Sequence, residues 1–309
     1  MSGHNHSHSH AGAPGESHQG RIAVALGITL LVFVFQIIGS ILTGSLALLF
    51  DSAHVLTDAG GLAMALLAAR LMVLPATSKR TWGFARAEVL AATGQAAVLL
   101  AVGLVVLVEG VQRLFNPTEI ASNEMIVFGA IGLAGNIISM FVLMGGRSKN
   151  FNMRAAFLEV VNDALGSVAV IVAAIVISTT GWVQADAVVA MLIGVLILPR
   201  TVRLLLETIS VLLESTPSGL DLDEVREHIM ELDHVRDVHD LHASQIATGL
   251  PILSAHVVVD AGCFYDGHAP QMLDALQSCV ADHFEISIEH STFQLEPVGH
   301  ADHELGAHH

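Results

Sequence analysis

The stretch FDSAHVLTDAGG, residues 50–61, lies inside a long apolar segment, between SLALL (45–49) and LAMALLAARL (62–71). It puts Asp51, His54 and Asp58 where a lipid-compatible segment would carry aliphatic side chains. An ionisable group at membrane depth is expensive and marks a functional position by default. Residues three and four apart share one face of a helix, so His54 and Asp58 project together and Asp51 leans the same way.

The surrounding composition is that of a membrane protein. Of 309 residues 53% are hydrophobic and 14% charged, with a mean hydropathy of +0.64. Soluble domains carry about 25% charged residues. Six apolar runs, 22–43, 46–71, 87–112, 121–144, 155–178 and 183–206, each approach or exceed the ~20 residues needed to cross the hydrocarbon core. The last is expected to continue as a cytosolic helix. Arg21, Arg70, Lys79, Arg80, Arg86, Arg147, Lys149, Arg154, Arg200 and Arg203 fall on one side of the six spans, against Arg113 on the other. The positive-inside rule then places both termini in the cytosol. The first twenty residues lack the apolar core of a signal peptide.

Four segments follow: a His-rich arm expected to be disordered (1–20), a six-helix membrane domain (21–214), a cytosolic metal-binding and dimerisation domain (215–297) and a His-rich tail (298–309). From Ser215 onward lie 17 of the 29 acidic residues and 12 of the 18 histidines, with only Arg226 and Arg236 as cations. The formal net charge of −16 repels nucleic acid and suits cations. Cys263 and Cys279 read as unpaired thiols.

ESTPSGLD (214–221) reads as a turn with Asp221 as helix cap. DLDEVREHIMEL (221–232) has helical spacing, with Leu222, Val225, Ile229 and Leu232 on one stripe. DVHDLHASQIATG (237–249) and PILSAHVVVD (251–260) read as paired strands, APQMLDALQSCVADHF (269–284) as a helix and ISIEHSTFQLEP (286–297) as a third strand. The order αββαβ implies an α+β fold with helices on one face of the sheet. His239, His256 and His290 fall one to a strand, so a shared face would gather them around a metal. The alternative is three separate histidines. His268, in the loop before the second helix, is a candidate ligand from another chain.

Span five supplies the partner for span two. AAFLEVVNDALGSVAV (155–170) carries Glu159 and Asp163 at i, i+4, and the two spans run antiparallel. Glu109 and Asp186 sit near the outward ends of their spans, where a snorkelling or capping role is expected. His54, Asp58, Glu159 and Asp163 offer one nitrogen and three carboxylates. With neutral His these carry three negative charges, which only protons or a 2+ ion can balance in a low dielectric. Competition between the two for the same groups is a coupling mechanism. The donor set suits Zn2+ and admits Co2+, Fe2+, Mn2+ or Cd2+, whereas Mg2+ prefers six oxygens. Asp51 is assigned to orienting His54 or guiding ions.

Taken together, FDSAHVLTDAGG, GFARAEVLAA (83–92), NDALGSV (162–168), LLESTPSGLD (212–221), VHDLHASQIATG (238–249) and LSAHVVVD (253–260) resemble the cation diffusion facilitators, proton-coupled exporters of divalent metals. The resemblance covers nearly the whole chain. It implies a homodimer in the cytoplasmic (inner) membrane, V-shaped spans, a ferredoxin-like cytosolic domain and a transport site on spans two and five. It carries onto His54, Asp58 and Asp163. Glu159 departs, since zinc-type members commonly have His there, and the departure implies wider acceptance of transition metals. Residues 71–86 contain no His, Asp or Cys, so the metal site some members hold in that loop is expected to be missing. His239, His256 and His290 fit positions the family uses for metal at its dimer interface. Thr292 replaces an Asp found in some members, which implies a smaller cluster. HNHSHSH (4–10) looks like the family's His-rich arm, with an expression tag as the other reading.

Two rival functions remain at the level of sequence. A membrane-anchored metal sensor would need only the C-terminal histidines. An intramembrane metalloenzyme is disfavoured by the lack of HExxH and by a four-ligand set with no open position.

Overall fold

The computed structural model describes residues 14–71, 76–144 and 151–300. Six long helices come first: α1 (Pro14–Thr43), α2 (Leu46–Leu71), α3 (Arg86–Phe115), α4 (Ser122–Met144), α5 (Phe151–Thr180) and α6 (Gln184–Leu212). They are followed by α7 (Leu222–Met230), β1 (Val235–Ala247), β2 (Leu250–Val259), α8 (Ala269–Asp282) and β3 (His290–Pro297). Helix α1 starts at Pro14, inside the stretch read as a disordered arm. HNHSHSH and the tail beyond His300 lie outside the described residues.

Five helices among the described residues meet the length and apolarity of a membrane span: α1 from Ala23, α3, α4, α5 from Phe157, and α6. The sixth, α2, has 26 residues, about 39 Å at 1.5 Å per residue. Its length suffices to cross, and it carries Asp51, His54 and Asp58 within two turns of one another.

The contacts divide the chain into two compact units, one of Met1–Val73 with Ala91–Leu205, the other of Leu74–Leu90 with Leu206–His309. In the first, α1 packs on α2 and α4, and α5 packs on α4 and α2. Small residues permit the close approach that membrane helices use in place of a hydrophobic drive. Gly135 of α4 lies against Val32 of α1, and Gly129 against Ile171 of α5. Helices α3 and α6 meet in the same manner, Gly103 against Leu198 and Gly110 against Met191. Phe50, Leu48, Met125 and Val170 fill the centre.

One turn ties these helices together. Gly44 (φ +72°) reverses the chain between α1 and α2, a conformation natural for glycine. The first amides of α2 have no partners within the helix. Asp186, fully buried at the start of α6, accepts from the amides of Leu46 (2.7 Å) and Ala47 (3.2 Å) and from the Ser45 hydroxyl. Its negative charge also suits a helix N-terminus. Arg113, near the end of α3, donates to the Gly44 carbonyl (2.6 Å) and pairs with Glu109 (3.1 Å). The capping expected of Asp186 is thus given to a neighbouring helix.

The second unit holds a three-stranded sheet in the order β1-β2-β3, with β1 and β2 antiparallel and β3 parallel to β2. The αββαβ order agrees with the sequence reading. Asp221 caps α7 by accepting from the Asp223 amide (2.9 Å). Val225 and Ile229 of α7 and Leu276 and Val280 of α8 pack with Val238, Val257 and Val259 of the sheet. Each such fully buried aliphatic contributes ~1.5–3 kcal/mol. Cys263 and Cys279 are free, buried thiols. The segment before α3 belongs to this unit. Thr248 donates to Glu88 (3.3 Å), Arg86 pairs with Glu214 (2.7 Å), and the Trp82 ring meets His290 edge-on at 4.7 Å.

Candidate metal centre

Within α2 the four-residue spacing of His54 and Asp58 brings His54 Nε2 to 3.6 Å from Asp58 Oδ2. From α5, Asp163 Oδ1 reaches the same Nε2 at 3.7 Å. Tetrahedral ligands held ~2.1 Å from a zinc-like ion lie about 3.4 Å from one another. The observed separations are therefore close to those of a filled site. One ligand atom from each of the three residues lies within 4.8 Å of the other two. The trio is only slightly open: Asp163 is 2% exposed, and the His54 and Asp58 side chains are 14% and 12% exposed. Asp58 Oδ2 and Asp163 Oδ1 are buried without hydrogen-bond partners. Carboxylate oxygens so placed need a cation or a proton.

Glu159, the expected fourth ligand, is near this trio but not among its ligand atoms. It is close enough for its charge to act on His54, Asp58 and Asp163. Its Oε2 instead lies 3.6 Å from Arg200 Nη2 of α6, with the Glu159 side chain 30% and the Arg200 side chain 71% exposed. In the sequence Arg200 reads only as a topology signal.

Asp51 does not orient His54. It is bonded to the Gln36 amide nitrogen of α1, while His54 Nδ1 is buried without a hydrogen-bond partner. Three residues turn a helix by about 300°, which carries the Asp51 carboxylate toward α1 and the bare backbone of Gly166 on α5.

The C-terminal domain holds a second cluster. His239 of β1 and His256 of β2 are directly opposite in the antiparallel ladder, rings 5.3 Å apart. They meet Glu296 of β3, His256 Nδ1 at 2.8 Å and His239 Nε2 at 3.5 Å. Glu296 is 1% exposed, and in the sequence it reads as one more carboxylate near the end of a strand. His290 stays outside. The parallel register pairs it with Ile252 and pairs Gln294 with His256, so four residues, about 13 Å of strand, separate His290 from the cluster. Its ring packs on Trp82 instead. His268, at the start of α8, pairs with Asp266 (2.8 Å), and that contact holds the Asp266 carboxyl below the usual carboxylate range. Of the four cytosolic histidines expected as ligands, one chain gathers two.

Residues 22–213 match the cation efflux transmembrane domain, and residues 217–298 match the cation efflux protein cytoplasmic domain. The chain belongs to the cation diffusion facilitator family. It is 41% identical over 281 residues to the metal cation efflux system protein CzcD of Cupriavidus metallidurans, covering 91% of this chain and 88% of that one. It is 36% identical over 283 residues to the zinc transporter ZitB of Escherichia coli, with the same coverages of 91% and 88%. A cadmium, cobalt and zinc/H(+)-K(+) antiporter of Bacillus subtilis is 37% identical over 229 residues, 74% of each chain. This family member is a multi-pass membrane transporter of metal cations and not an enzyme.

Proposed function

We propose that this facilitator exports Zn2+ from the cytosol in exchange for protons, by alternating access, and accepts Co2+, Fe2+, Mn2+ or Cd2+ as well. The observation that carries the reading is the His54–Asp58–Asp163 trio, whose ligand atoms lie within 4.8 Å of one another. Its charge supports it too. With His54 neutral the trio has two negative charges, which one divalent ion cancels, while Arg200 offsets Glu159 alongside. Glu159 is then a ligand in reserve, which leaves Arg200 to complete a four-coordinate sphere. Emptied of metal, the same groups take up protons, so one site alternates between the two cargoes. Metal breadth is supported by the harder donor set that Glu159 brings and by the names of the relatives, which cite zinc, cadmium and cobalt.

The chain acts as a homodimer in the cytoplasmic (inner) membrane with both termini in the cytosol. The positive-inside pattern and the match of residues 217–298 to the family's cytoplasmic domain support this. His239, His256 and Glu296 bind a regulatory ion, with His290 and His268 available only to a partner chain. Zinc flux into vesicles under an imposed pH gradient tests the central reading. Wild type transports and collapses the gradient, Asp163→Ala does neither, and Glu159→His narrows the metal range toward Zn2+. Zinc binding without flux in wild type would reduce the protein to a sensor.

A further inference from the structure

One buried carboxylate of the bundle stands outside the trio. Asp51 is 2% exposed and precedes His54 by about 4.5 Å of helix rise. Its contacts are neutral. It accepts from the Gln36 amide nitrogen of α1, and its Oδ1 lies against Gly166 of α5, where an added Cβ would come within 2.6 Å. Among the described residues no Lys, Arg or His lies at ion-pair distance from it. The charged group that faces it from α5 is Asp163, and His54 follows on its own helix. Helix α4 adds only neutral groups around Gln36, namely Gly132, and Asn136 through Ser167.

Gln36 is fully buried, yet its Oε1 has no hydrogen-bond partner. A buried amide oxygen left in this state is costly, and a protonated Asp51 would supply it with a donor. An ionised Asp51 accepts from Nε2, as seen. A protonated Asp51 must donate, and Gln36 Oε1 accepts once the amide turns over. Gly132 leaves the room for that rotation, since a Cβ there would come within 2.9 Å of Nε2. An arginine partner would hold Asp51 as an anion and a leucine would hold it as an acid. Glutamine serves both.

We propose that Asp51 and Gln36 form a proton-holding site distinct from the metal ligands. It gives up its proton to water when a divalent ion fills the trio and takes one back when the ion leaves. The 2+ charge about one turn away drives the release, because it favours an ionised neighbour. The inference rests on the proton-exchange reading above and assigns one of the exchanged protons to a residue that never touches the metal.

Isothermal titration of the purified full-length transporter with ZnCl2, in buffers of different ionisation enthalpy, counts the protons released per ion bound. The expected result is that Asp51→Asn and Gln36→Leu each lower that count by about one, whatever happens to zinc affinity, and that Asp51→Glu restores it. An unchanged count in Asp51→Asn or Gln36→Leu overturns the proposal. A wild type that releases no protons overturns the exchange reading itself, so the two failures are distinguishable. A purely structural Asp51 would lower stability in all three variants without changing the count.

Discussion

Removing Arg200 should tighten metal binding. In Arg200→Ala the Glu159 carboxylate loses its only cation within 4 Å among the described residues and is free to turn to the trio. The contact being given up is weak. At 3.6 Å, with the Arg200 side chain 71% exposed, it is a solvated ion pair worth ~0.2–1 kcal/mol. Converted at 1.4 kcal/mol per decade, that is a gain of about 1.4- to 5-fold in zinc affinity. Part of it comes from Glu159 and part from the loss of Arg200's own repulsion of a cation. The Glu159→Ala and Glu159→Ala/Arg200→Ala proteins separate the two in a double-mutant cycle. The assay is zinc titration of the detergent-purified protein at fixed salt. A weaker Kd in Arg200→Ala, or a gain just as large without Glu159, refutes the view that Arg200 keeps a fourth ligand in waiting.

Asp186→Ala should destabilise the bundle. It strips α2 of its two bonded amides and the Ser45 hydroxyl of its acceptor, at ~1–3 kcal/mol for each buried donor left unsatisfied, or about 3–5 kcal/mol together. That appears as a fall in melting temperature of ~10 °C, at ~2–4 °C per kcal/mol for chains of this size. Glu296→Gln should lower zinc bound per protomer by about one ion at equilibrium dialysis, and Asp163→Ala should lower it independently of that. In the C-terminal domain, the hydrogen bonds from Arg236, then His234, hold the Asp260 carboxyl below its ordinary value of 3.8. A depressed carboxylate stabilises the fold above that ordinary value and loses its contribution as the pH falls through the depressed one. Arg236→Ala should therefore speed amide exchange at Asp260, whose N–H bonds His234 O, relative to wild type near neutrality. The gap should close below about pH 4.

What the sequence made legible follows from where burial leaves a mark. His54, Asp58 and Asp163 stand out because ionisable groups in apolar spans have few excuses, and helical spacing alone brings each pair into line. The strands and helices after Asp221 show their periods plainly. Arg200 and Glu296 are hidden because each looks ordinary in its own segment, a basic span end and a carboxylate next to the end of a strand. Their meaning comes from α6 crossing near α5 and from the parallel register of β3, neither of which is local. Gln36 gave a fainter signal, a lone amide in an apolar run, which only the position of Asp51 explains. For His290 strand membership is readable and register is not, so the sequence leaves a shared metal face and three separate histidines both open.

Fastening α6 at Asp186 has a mechanical corollary. Fourteen residues on, the guanidinium of Arg200 stands at the far end of a lever roughly 21 Å long. A tilt of about 10° around that rivet sweeps the tip by nearly 4 Å, as far as the 3.6 Å gap to Glu159. Pro199, one residue before the tip, interrupts the backbone bonding and adds a joint there. A rotation too small to notice at the anchored end is thus large enough to engage or disengage the arginine at the other.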